Sequence, residues 1–318
     1  MGFIKSTSAT AVSLERSLLL ITSFLISISF CAYARQATGL TESEAHPPHL
    51  GNFALPQSQQ PGPFFSFGQN ILEKNQFQAY LQTTYEQRRL AYFTWATPAL
   101  VYGVTDAISV MVALPIAIEY AETLHHSSGL DEAFVQGEWA FYNRSSFKST
   151  EQGTLVGAVN FPTGSTKKEP STSYGVTSYF IGGTYNQTFV NWLWFVSAAA
   201  FHVPPYEATH RYNQYLYQYG LGRNIKSVTN KYIFFGLLEF NGNYEEIKEI
   251  QIKHHHHVPE KSTIYKYGNV IYATPSLWFS TPKLFAQLGF SLPLDQQWTD
   301  INKHKNYFVS LALGLTFN

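Results

Sequence analysis

The sequence predicts an all-β chain: a transmembrane antiparallel up-and-down β-barrel of about twelve strands, preceded by a cleaved signal peptide and an irregular N-terminal segment. Three observations predict it. The chain ends on NYFVSLALGLTFN, in which Tyr307, Val309, Leu311, Leu313, Leu315 and Phe317 fall on one side and Phe308, Ser310, Ala312, Gly314 and Thr316 on the other. A period of two is the strand period, whereas a helix would scatter these residues around its axis. Charged residues make up only 13% of the 318 residues, about half the usual share for a soluble protein, while aromatics reach 16%. Apart from the short first gap, RRL, the gaps between successive alternating runs are short and long in turn, as in barrels whose two ends face different compartments.

Residues 1–34 read as a signal peptide. Lys5 and Arg16 supply positive charge, and the apolar run Ser17–Phe30 is too short to span a membrane as a helix. Ala32-Tyr33-Ala34 places small residues where a signal peptidase reads, so cleavage is expected before Arg35. The single cysteine, Cys31, leaves with the signal, and the mature chain is expected to carry no disulfide or thiol chemistry. No mature stretch is apolar for the length a spanning helix needs. A net charge of zero gives no footprint for nucleic acid.

Residues 35–74 are rich in Pro, Gln, Ser and Gly and show neither structural period. They read as an irregular segment, either a plug folded into the barrel mouth or a mobile tail.

Residues 75–318 carry the barrel. FQAYLQTTYEQ, AISVMVALPIAIEY and KLFAQLGFSL alternate cleanly; noisier runs cover 91–103, 132–144, 152–162, 175–185, 190–204, 213–223, 230–243 and 266–279, and 305–317 closes the count. If both ends of the barrel sequence lie on the inner side of the membrane, even-numbered strands end in tight turns, here 104–107, 145–151, 186–189, 224–229 and 280–283. Longer loops are expected at 121–131, 163–174, 205–212, 244–265 and 294–304. Trp95, Tyr120, Trp139, Tyr215, Tyr217, Tyr219, Trp278, Tyr307 and Phe317 lie near strand ends, where rings anchor at membrane interfaces. In hydrocarbon every backbone polar group must be paired within the protein, so strands can cross only in a closed sheet.

With the apolar faces toward lipid, Gln78, Gln82, Glu86, Glu119, Gln136, Glu138, Tyr142, Asn160, Gln214, Gln218, Glu239 and Gln287 are expected to line the lumen. A polar interior suits a pore, and inward glutamates favour cations or neutral polar solutes over anions. The alternative is a closed barrel whose interior packs on itself.

No cofactor is expected. His254, His255, His256 and His257 stand in the longest connection, but adjacent histidines at strand spacing cannot all face one metal. An exposed low-complexity loop is the plainer reading, and no metal site is assigned. A lipid hydrolase would need a nucleophile, a histidine and an orienting group at the outer rim. His125 with Ser127, or His126 with Ser128, supplies the types without a matching third partner, and no enzyme activity is assigned. A structural or adhesive surface barrel acting through its loops is the remaining alternative.

The ending Tyr307, Leu313, Leu315, Phe317 resembles the C-terminal assembly signal of Gram-negative outer-membrane barrels, with Asn318 following where the aromatic is usually last. The resemblance implies the barrel-assembly machinery and outer-membrane lipid as partners. TPALVYGVTDAISVMVALPI (97–116), LVGAVNFPTGS (155–165) and YFIGGTY (179–185) are similar to a family of outer-membrane proteins named for the phenol meta-cleavage pathway. That resemblance covers most of residues 90–318 and implies a twelve-stranded, porin-like channel for small, often hydrophobic or aromatic solutes. It brings no catalytic residues. Gly103, Asp106 and Gly164 of the motifs also read as turn residues.

Overall fold

The computed structural model describes residues 46–317 apart from 69–70, 207–209, 256–257 and 299–303, with the backbone alone described at 206, 210–211 and the rest of 248–265. The expected signal peptide and residues 35–45 lie outside the described residues.

One antiparallel sheet runs through β1 (Phe77–Arg88), β2 (Ala91–Thr105), β3 (Ile108–Ala113), β4 (Ile116–Glu122), β5 (His125–Leu130), β6 (Ala133–Ser145), β7 (Ser149–Phe161), β8 (Ser178–Phe189), β9 (Trp192–Tyr206), β10 (His210–Val228), β11 (Tyr232–His255), β12 (Val258–Ser280), β13 (Leu284–Trp298) and β14 (Lys305–Phe317). The last strand returns to the first, from Phe77 opposite Phe317 to Gln87 opposite Tyr307, while β1 also pairs with β2. That closure pairs both edges of the sheet.

The 14 segments make a closed barrel of 12 strands. Its β2 pairs with β3 over Ala99–Thr105 and with β4 over Ala91–Ala96, so β3 and β4 are halves of one strand. In the same way β5 and β6 are halves of the next, since β4 pairs with β5 and β3 with β6. The interruption falls at Leu114-Pro115, where proline has no N–H for the ladder. It stays stitched: Leu114 N–H donates to the Pro98 carbonyl (3.0 Å) and Asp131 N–H to that of Pro115 (2.9 Å).

The wall is apolar outside, and its inner face is polar except where Leu193, Phe195, Ile233, Phe235, Trp278 and Phe285 pack around Ala54 and Leu55. Leu100, Val112, Ile181, Leu221 and Leu288 are exposed, Leu100 at 63%, while Gln78, Thr84, Glu138, Thr154, Ser197, Glu239, Gln287 and Ser310 are buried. A protein folded in water shows the reverse distribution; a lipid-facing barrel requires this one.

Two expected loops are strands. Residues 125–130 of the expected 121–131 loop pair with β4, leaving Thr123-Leu124 as the turn. HHSSGL has no apolar alternation, so its strand character comes from the paired neighbour alone. The expected 244–265 loop is mostly a two-stranded ribbon, in register from Tyr244 opposite Asn269 to His255 opposite Val258. Below, the barrel end carrying the short connections is the turn end, and the opposite one the loop end.

Candidate functional site: the occupied lumen

An irregular, proline-rich segment has backbone amides and carbonyls that no ladder satisfies. Residues 51–68 and 71–72, most of them buried or half-buried, meet that need inside the wall. Asn52 is fully buried at the turn end, its amide donating to the carbonyls of Phe189 (2.9 Å) and Trp192 (3.2 Å). Further along, Gln59 donates to Thr316 Oγ1 (2.7 Å), and the Ser280 hydroxyl donates to the Gln59 carbonyl (2.8 Å).

The segment reaches its apex at Phe64–Phe67. Backbone N–H groups of Phe64 and Phe65 both donate to the buried Glu239 carboxylate, the second at 3.1 Å. Gln218 donates to the Phe65 carbonyl (3.0 Å) and Thr184 to that of Phe67 (2.6 Å). Wall glycines make room for the two rings. A Cβ on Gly289 would lie 2.6 Å from the Phe64 ring, and one on Gly182 would lie 2.5 Å from that of Phe67. The chain then returns to the β2–β3 turn, where Leu72 N–H donates to Ser109 Oγ (2.8 Å) and Lys74 N–H to Asp106 Oδ1 (2.9 Å).

The inner segment leaves space on one side. A cavity of about 230 Å³ lies between it and the wall, lined among others by Phe64, Tyr80, Gln82, Met111, Phe134 and Gln136. Rings and amides both line it, so a bound molecule would meet apolar surface and hydrogen-bonding groups together.

Toward the loop end the lumen is lined by charges and rings. Arg88 grips Glu86 with two N–H groups (3.0 and 3.1 Å) and lies 4.3 Å over the Phe93 ring. Lys305 Nζ stands 3.5 Å from Glu86 and 3.9 Å from Glu245. Phe308 joins the Phe65 ring of the inner segment (5.0 Å) to Tyr272 (4.7 Å). Above, Glu132 accepts from Ser173 Oγ (2.9 Å) and Tyr174 N–H (2.7 Å), which draws the β7–β8 connection inward until Tyr174 stacks on Tyr212 at 5.7 Å.

Most of the residues expected inside have polar partners there. Gln78 donates to Thr316 Oγ1 (2.9 Å), Gln136 to Glu138 Oε1 (2.7 Å), Asn160 to Ser178 Oγ (3.1 Å) and Gln287 to Ser276 Oγ (3.1 Å). Gln214 pairs with Glu245 on the inward register, and Gln82 with Thr97. Glu239 and Glu86 do not stand free to attract cations: the first is taken by the inner segment, the second by Arg88 and Lys305.

Two expectations are corrected. Between Ala117 and Glu119 the β2–β4 register slips by one residue, a bulge that turns Glu119 outward beside Thr94 and Tyr120 inward beside Phe93. Glu119 is therefore an outer-face residue, its side chain 48% exposed, accepting from Tyr92 Oη at 2.6 Å. A second bulge at Phe141 sets Tyr142 opposite Gly153, on the outer face, where its hydroxyl donates to Glu151 Oε2 (3.1 Å).

Tyr307, Leu313, Leu315 and Phe317 lie opposite Gln87, Leu81, Ala79 and Phe77 on the outward register of the closing pair. His254 and His255 end β11 in backbone only; His256 and His257 lie outside the described residues. No group of three or more metal-ligating side chains occurs among the described residues. Of the hydrolase candidates, Ser127 Oγ donates to the Pro170 carbonyl (2.6 Å), and His126 Nδ1 lies 3.3 Å from Glu119 Oε1.

No family model matches the chain, and no curated protein matches it by sequence. By structure it is similar to an outer membrane channel from Pseudomonas putida F1, at 11% identity and a TM-score of 0.54, covering 77% of this chain and 97% of that one. At that identity the likeness concerns the fold. This chain has the fold of an outer-membrane β-barrel. Fainter likenesses are to the β-domain of the Bordetella autotransporter BrkA (TM-score 0.42, 8% identity, covering 77% of this chain and 100% of that one) and the CymD monoaromatic hydrocarbon channel (TM-score 0.34, 11% identity, covering 79% of this chain and 91% of that one).

Proposed function

We propose that the chain is a channel of the Gram-negative outer membrane that passes small, uncharged solutes, including hydrophobic and aromatic ones, and that it is exported by its signal peptide and inserted by the barrel-assembly machinery. The observation that carries this reading is the cavity of about 230 Å³ inside the wall, where rings and amides face one another beside the inner segment. A barrel built only as a structural shell has no need of polar inward side chains beside unfilled space. The motif resemblance to the phenol meta-cleavage family and the fold shared with a Pseudomonas channel support the same reading.

Liposome swelling tests it. The folded protein should admit a small sugar and a neutral aryl glycoside, neither of which crosses lipid unaided, and should discriminate between them. Swelling in neither would remove the channel reading.

A further inference from the structure

The loop-end lumen holds four ionisable side chains as one connected set. Glu86 is gripped by Arg88 and approached by Lys305, which also reaches Glu245. Two carboxylates thus face two cations. The side chains of Glu86, Lys305 and Glu245 are only 10%, 12% and 13% exposed, so bulk water screens their fields weakly. Gln296 fixes the backbone from which Lys305 projects, donating to its carbonyl (3.0 Å) and accepting from its N–H (2.9 Å).

An ion entering between these four side chains would lose hydration and find each of their charges already matched, so neither sign is compensated there. An uncharged molecule pays no such penalty. We infer that Glu86, Arg88, Lys305 and Glu245 form a charge-neutral filter that passes uncharged solutes and disfavours ions of either sign, with Lys305 setting the balance. The inference rests on the channel reading above. It replaces the cation preference that unpaired inward glutamates would give.

Planar-bilayer recording in a potassium chloride gradient tests it. The unaltered protein should give a reversal potential near zero. Lys305→Met leaves two carboxylates against one guanidinium and should raise the cation-over-anion permeability ratio on the order of thirty-fold, because a unit charge about 4 Å away shifts each ion by ~1 kcal/mol in water and the two signs shift in opposite directions. Glu245→Gln should move the ratio the opposite way. Heat-modifiable gel mobility establishes that each variant has closed its barrel. If both fold and keep the unaltered ratio, the filter is wrong while the channel reading stands. If the unaltered protein passes neither ions nor neutral solutes, the channel reading fails and the filter goes with it.

Discussion

The ring of Phe64 occupies the space that a side chain at Gly289 would need, since a Cβ there would fall 2.6 Å from it. The wall strand β13 and the inner segment therefore fit by the absence of a side chain. Gly289→Leu should unseat the apex, because neither the strand backbone nor a ring whose own backbone N–H is held by the Glu239 carboxylate can move far. The strand itself should persist, as leucine suits a strand better than glycine does. Chymotrypsin should then cut the folded variant at Phe64 or Phe65 and spare the unaltered protein. Equal resistance of the two would show that the fit is not what holds the apex.

Glu239 holds the same apex by a different means. Its carboxylate accepts from two backbone N–H groups, and a glutamine keeps only one accepting oxygen while turning an NH2 toward the other donor. A buried donor left unpaired costs about 1–3 kcal/mol. Glu239→Gln should therefore speed amide hydrogen exchange at Phe64 and Phe65 by roughly tenfold or more, with the wall strands unchanged. Exchange equal to that of the unaltered protein would mean that the carboxylate is not the anchor.

Neighbouring residues Gln287 and Leu288 separate a lipid-facing wall from a water-facing one. Gln287 is buried inside, whereas Leu288 is 53% exposed outside. On a protein surface in water, a leucine-to-arginine change at such a position shifts stability by about 0.5 kcal/mol or less. On a lipid face it costs about 2–4 kcal/mol near the bilayer centre, falling toward the interfaces. Leu288→Arg should lower the urea midpoint of the vesicle-embedded protein by more than the surface figure allows. An unchanged midpoint would place this face in water.

The barrel was legible because lipid enforces a period of two on every strand, and closure enforces the pairing of Phe77 with Phe317. The inner segment was not legible to the same degree. Its partners are single side chains such as Glu239, Gln218 and Thr184 that accept from or donate to irregular backbone, and such contacts leave no periodic trace. Nothing in the sequence marks Gly182 and Gly289 as the strand glycines over which the rings of Phe67 and Phe64 lie. The pairing of Glu86 with Lys305 joins residues far apart in the chain, so the sequence showed the carboxylate without its partner. Strand phase failed at Glu119 and Tyr142 for a further reason. A bulge inserts one residue without marking it, and every side chain beyond it changes face.

That change of face can be measured directly. The sole cysteine, Cys31, lies in the expected signal peptide, so a spin label can be attached to one new cysteine in the mature chain. Labels at Glu119→Cys and Tyr142→Cys should be relaxed by oxygen, which concentrates in lipid, more than by a water-soluble nickel chelate. A label at Gln82→Cys, on the cavity wall, should show the opposite preference. The contrast depends on the two bulges alone: without them, plain alternation along β4 and β6 would put residues 119 and 142 on the same face as the inward Ala117 and Ala140. Chelate-dominated relaxation at all three positions would restore the unbulged register and return Glu119 and Tyr142 to the lumen.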